Sequence, residues 1–145
     1  KPGRRDKEDG IRRSQRLLLT WLIETPALFE KIEGIITADD FVENLYHQVA
    51  QMVFDGHREG NFNPAAILSR FINDEDQYKE VAALFNASLK ESLNNEEQKK
   101  AFSETVMKVR KNSLDVASRN AKDITQLQEI IRQQAALKQL HISLD

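Results

Sequence analysis

"TADDFVENLYHQVAQMVFDG", residues 37–56, is the stretch whose reading decides the fold. Phe41, Val42, Leu45, Tyr46, Val49, Met52 and Val53 recur at the helical period and fall on one broad stripe, so the spacing predicts an amphipathic helix. Thr37 with Asp40 three residues on has the form of a capping box, Asp standing where Glu or Gln is usual. Gly56 and Gly60 mark the stop and the loop beyond it.

The same period extends in both directions. Upstream, "IRRSQRLLLTWLIE" (11–24) places Ile11, Leu18, Trp21 and Leu22 on one face, with Leu17, Leu19 and Ile23 on the others. A helix apolar nearly all round belongs at the centre of a bundle. It should end at Thr25, because the residue before Pro26 is pushed out of helical geometry. Thr25 is then placed to cap a short helix carrying Leu28, Phe29 and Ile32 and ending near Gly34. Downstream, Asn63–Pro64 opens a helix and Asp74 opens another with Val81, Leu84 and Phe85 inward. A weaker helical stretch covers 87–93. Two longer helices come after it, one from Asn94 or Asn95 toward Arg119, the other from Asp123 to about His141. The short turn between them favours an antiparallel hairpin.

The fold class expected is therefore all-α: a helical bundle over 11–112 and a C-terminal antiparallel helical hairpin over 113–145, the boundary lying anywhere from 95 to 120. Residues 1–10 read as the tail of a charged linker, and the bundle is expected to fold without 123–145. Few Gly and Pro in 145 residues, 40% of them hydrophobic, agree with helices around a real core. The absence of Cys removes disulfides and thiolate metal sites. No apolar run is long enough to span a membrane, and the opening is not a signal peptide.

A net charge of -2 conceals segregation. Residues 1–16 carry net +4, residues 17–97 net -10 and residues 98–145 net +4. A body of that sign repels phosphate, so strong direct nucleic-acid binding is not expected, although the basic ends keep a nucleic-acid-binding bundle as one reading. Catalytic or metal chemistry finds no constellation. Glu43 and His47 are four apart on one helix but lack a second ligand pair and lie off the apolar stripe, so exposure is the expectation. Asp39, Asp40, Asp74, Glu75 and Asp76 sit at helix starts, where capping accounts for them. No phosphate-cradling glycine loop or nucleophile elbow occurs.

The last helix, "ITQLQEIIRQQAALKQLHISLD" (124–145), has more apolar surface than a hairpin needs. Ile124, Leu127, Ile131 and Ala135 cluster on one side; Ile130, Leu137 and Leu140 on another, with Ile142 and Leu144 extending the two sets. One set can close the hairpin, and the surplus suits a partner. Periodicity alone leaves the choice open. The outward, partner-binding set is taken as Ile130, Leu137, Leu140, Ile142 and Leu144 with Gln133, Gln134 and Lys138, leaving Ile124, Leu127, Ile131 and Ala135 inward.

Residues 14–54 resemble the C-terminal helicase-binding domain of bacterial DNA primase. The resemblance is carried by Leu17, Leu18, Leu22, Pro26, Phe29, Asp40, Phe41, Tyr46, His47, Val53 and Phe54. The N-terminal self-assembly domain of the replicative helicase has a similar pattern, and Arg16 stands where the primase family favours an acid. A terminal hairpin rich in Ile and Leu, behind a charged linker, tips the resemblance toward primase. It implies a non-catalytic, cytoplasmic docking domain, monomeric alone and without cofactor. Such a domain binds the hexameric replicative helicase, recruits primase to the fork and modulates the helicase. Zinc and magnesium, and the primer-synthesising chemistry of a DNA-directed RNA polymerase, would belong to upstream domains of the parent enzyme.

Overall fold

A computed structural model describes the backbone of residues 2–87, 94–142 and 144, and the side chains of these residues from 10 onward. The architecture is an all-α bundle, with seven helices among the described residues: α1 Pro2–Glu24, α2 Phe29–Ile32, α3 Asn44–Glu59, α4 Pro64–Ser69, α5 Glu75–Asn86, α6 Asn95–Arg119 and α7 Ile124–Lys138. Single 3₁₀ turns cover Pro26–Leu28 and Ala38–Asp40. There is no strand among the described residues, and no helix there is long and apolar enough to cross a membrane. The weaker helix expected at 87–93 lies, apart from Ala87, outside the described residues.

The all-round apolar character of α1 is explained by its neighbours. It packs against α6, α5 and α3, so Leu18, Leu19 and Leu22 on different sides are all wholly buried. Trp21 meets Phe102 of α6 edge to face, ring centroids 6.0 Å apart. Phe54 of α3 receives the edges of Phe29 and Phe41, at 5.0 and 5.9 Å. The helix runs back to Pro2, so residues 2–10 continue α1 where a linker was expected. It ends at Glu24, one residue before Thr25 as the Thr-Pro step requires. Thr25 does not cap the turn after it: its side chain makes no capping bond and Oγ1 is buried without a partner. With that orphan N-terminus, the chain takes a 3₁₀ turn before the single turn of α2.

Other helix starts obey the sequence rules. Asn63 Oδ1 accepts from Ala66 N at 3.2 Å, Asp74 Oδ1 from Gln77 N at 3.1 Å and Asn94 Oδ1 from Glu97 N at 2.9 Å. Gly60 closes α3 in the left-handed region, φ 69°, where a side chain would be strained.

The segment 37–56 departs from the expected single helix. Its helix starts at Asn44, seven residues after Thr37. Thr37 N–H does donate to Asp40 Oδ2 at 2.8 Å, the reciprocal half of a capping box, but it opens only a 3₁₀ turn. The chain then extends, since Glu43 N–H is drawn to Gln15 Oε1 of α1 at 3.0 Å. Val42, assigned to the buried stripe, is exposed on this extension, whereas Phe41 is wholly buried.

Three elements are tied by one carboxylate. Glu80 of α5 accepts from Tyr46 Oη of α3 at 2.6 Å and from Arg12 of α1, whose guanidinium also lies over the Tyr46 ring and bonds Glu43 at 3.0 Å. Burial pushes the Glu80 carboxyl up, but the hydrogen bonds from Tyr46 and Arg12 outweigh it and hold the pKa below the ordinary 4.5. A depressed carboxylate pKa adds stability that is complete above the unfolded value and is lost as pH falls through the folded one. Glu80→Gln should therefore cost about 1 kcal/mol at pH 7. The deficit should shrink as pH falls from 4.5 through the depressed value. Urea midpoints of the two proteins across that range measure it.

Candidate docking surface

A buried carboxylate sets the position of α7. Asp40, 3% exposed, sits under α6. Its Oδ1 accepts from Arg110 Nη1 and from Ser113 Oγ, both at 2.7 Å, while Oδ2 takes the Thr37 N–H. Taking such a charge out of water is tolerated only with a cation and full hydrogen bonding, and both are present. Arg110 has a second arm: Nη2 donates to Gln133 Oε1 of α7 at 3.0 Å. The next residue of α7 is also bonded to α6: Gln134 Nε2 donates to Asp115 Oδ1 at 3.2 Å. These pairs, 110 with 133 and 115 with 134, tie α7 to α6. Asp123 starts α7 as the sequence indicates, its Oδ1 accepting from Gln126 N at 2.8 Å. Gln126 Oε1 reaches back to Lys122 N–H, at 2.9 Å.

With Gln133 and Gln134 on α6, the phase of α7 is fixed, and it departs from the expected one. Leu127, Ile130, Gln134 and Leu137 keep the i, i+3, i+7, i+10 spacing of one face and are half-buried, as are Gln133 and Leu140. Ile130, Leu137 and Leu140 therefore belong to the side that meets the rest of the fold. Ile124 and Ile131, assigned inward, are 71% and 52% exposed, and Ala135 is exposed with them. Leu127, also assigned inward, is half-buried. The glutamines mislead a sequence reading because an amide is as much at home in water as in a seam that offers partners. The signal that could have found the seam is the charged pair Arg110 and Asp115 on α6, each able to bond an amide.

The chain end also differs from the expectation. The helix stops at Lys138, and Ile142, expected outward, is 8% exposed within the main apolar core, with Leu140 and Leu144 packed against it. Leu140, Ile142 and Leu144 thus close over the core. The division between 112 and 113 falls inside α6, which packs on α1 and on α7.

What remains open to solvent is one flank of α7. Ile124, Ile131 and Lys138 are seven residues apart and so nearly aligned along the helix. This row leads into a groove of about 430 Å³ between α6 and α7, whose lining includes Met107, Gln134, Leu137 and Lys138. On the opposite flank a shallower cleft runs past Gly34, Ile35 and Ala136.

Glu43 and His47, expected to be free on the surface, are half-buried and engaged. His47 Nδ1 pairs with Ala38 O at 3.0 Å, and Glu43 binds Arg12. They hold the bend before α3. No group of three or more potential metal ligands occurs among the described residues. No family model, curated protein or solved structure matches the chain.

Arg110→Ala would leave Asp40 buried and charged without its cation. It should cost about 3 kcal/mol, the scale for breaking a buried pair. It should also loosen α7 more than α1 to α5. Chemical denaturation gives the first quantity, and amide hydrogen exchange helix by helix gives the second.

Proposed function

We propose that the chain is the non-catalytic docking domain of a bacterial DNA primase, a helical bundle with a terminal hairpin that binds the hexameric replicative helicase. On this reading it recruits the primer-synthesising enzyme to the replication fork and modulates the helicase. The zinc- and magnesium-dependent chemistry sits elsewhere in the parent. The observation that carries the reading is the exposed row of Ile124 and Ile131 on α7, running into the apolar groove with Met107 and Leu137. Apolar side chains held out on a well-capped helix, beside a groove, suit a protein partner. The sequence resemblance over residues 14–54 points to the same partner. The net -10 of residues 17–97 argues against the bundle as a nucleic-acid platform.

The interface then consists of Ile124, Ile131 and Leu137 with Gln134 and Lys138. Ile142 supports the fold from inside. Ile131→Asp replaces an exposed residue, so its melting temperature should stay within the change expected of about 0.5 kcal/mol. Its affinity for the purified hexameric helicase should fall at least about tenfold, a loss on the order of 1.4 kcal/mol. Ile142→Ala should do the reverse, costing about 2 kcal/mol or more of stability through the cavity it leaves. Thermal melting and a helicase pull-down read both. A native chain that assembles into stable dimers or trimers and ignores the helicase would favour the helicase self-assembly domain instead.

A further inference from the structure

We propose that the groove between α6 and α7 receives an acidic amphipathic segment of a partner protein. One large apolar side chain of that segment sits between Met107 and Leu137, with carboxylates on Lys108 and Lys138. The proposal rests on the docking reading and names the chemistry of the surface that α7 meets.

The groove has an apolar floor. Met107 and Leu137 face it from the two helices, and both are half-buried. A thioether with three rotatable bonds adapts to whichever apolar group arrives. The volume, about 430 Å³, lies in the range of roughly 300–1,000 Å³ common to binding sites. One end is closed by a polar relay already satisfied within the protein. Asp115 Oδ2 takes Lys111 Nζ at 3.1 Å, and its Oδ1 takes Gln134 Nε2 at 3.2 Å.

The remaining cations on the rim differ from Lys111. Lys108 and Lys138 line the groove from opposite helices, are exposed, and have no carboxylate partner among the described residues. Two unpaired ammonium groups flanking an apolar floor call for a carboxylate, an apolar side chain and a second carboxylate in register. Such charge complementarity steers encounter and fixes register. A nucleic-acid strand would satisfy the lysines but not the floor, and no aromatic ring lines the groove to stack a base. A second copy of this chain would bring an acidic corner at Asp74, Glu75 and Asp76 next to the exposed Ile72. It is therefore a distinct outcome of the test.

The test uses the full chain and a synthetic amphipathic helical peptide. The peptide has leucine at i, i+4 and i+7 and glutamate on the flanking positions, and its counterpart carries lysine in place of every glutamate. Methyl resonances of Met107 and Leu137 report on the groove. The acidic peptide should shift both, bind at least about tenfold more tightly than the lysine counterpart, and weaken with added salt as exposed charge pairs do. Lys108→Glu with Lys138→Glu should keep the melting temperature and reverse the preference between the peptides.

Absence of shifts at Met107 and Leu137 with millimolar acidic peptide would overturn the proposal. So would equal binding of the two peptides, or shifts produced by oligothymidylate but not by the peptide. Shifts that grow with protein concentration alone would give the groove to a second copy and overturn it as well. The fork reading stands apart. Peptide binding in the groove, with no capture of the native chain by the helicase, supports this proposal and removes that reading. Helicase capture untouched by the double charge reversal, with no peptide shifts, does the opposite.

Discussion

One guanidinium holds three parts of this fold in register. Arg110 neutralises the buried Asp40 with one arm and grips Gln133 of α7 with the other. Asp40 in turn is bonded to Ser113 and to the Thr37 backbone, so no oxygen is left unsatisfied in a place that water scarcely reaches. A buried pair of this kind gives little net stability compared with apolar packing, but removing either member is costly. Its value here is specificity. Without it, the segment before α3 has sequence enough to run on as a helix from Thr37, and α7 has two apolar faces between which packing on α6 could choose.

That choice explains what was legible in the sequence and what was not. Helix ends depend on local chemistry, and most were readable: the Thr-Pro step at 25–26 and the caps Asn63, Asp74, Asn94 and Asp123 stand where the residues indicate, whereas α3 runs through Gly56, expected at its stop, and ends at Gly60. The buried identity of Leu18, Leu22, Tyr46, Val49 and Phe102 comes from period alone. The start of α3 was not readable, because Gln15 and Arg110, distant in sequence, compete for the segment at 37–43 and win. The phase of α7 failed for the same reason. Its seam is chosen by Gln133 and Gln134, whose preference emerges only when Arg110 and Asp115 lie opposite. The burial of Ile142 was hidden because a residue beyond a helix end has no period to betray it.

Fixing the phase of α7 has a functional consequence. The face given to α6 is the mixed one, with amides among its aliphatic residues. The simpler aliphatic row, Ile124 and Ile131, is left in solvent beside the groove floored by Met107 and Leu137. A fold that needed the last helix only for stability would gain more by burying Ile124 and Ile131. Fully burying an aliphatic side chain contributes about 1.5–3 kcal/mol. In the proposed docking role this forgone burial becomes available to the partner. The lysines on the groove rim lie in the basic segment 98–145, while residues 17–97 are acidic, so an acidic partner would be drawn to α6 and α7 and kept off the helices before them.

The absence of cysteine from the chain makes the central claim directly measurable. Single variants Ile131→Cys and Tyr78→Cys each place a thiol at an exposed position, one on α7 and one on α5. Alkylation rates are compared in the free protein and with the hexameric replicative helicase in excess. Both positions should label fast in the free protein, and position 131 alone should be protected, at least about tenfold, when the helicase is added. Slow labelling at 131 in the free protein would contradict the phase of α7. Protection at 78 but not at 131, or at neither, would contradict the docking role of that helix.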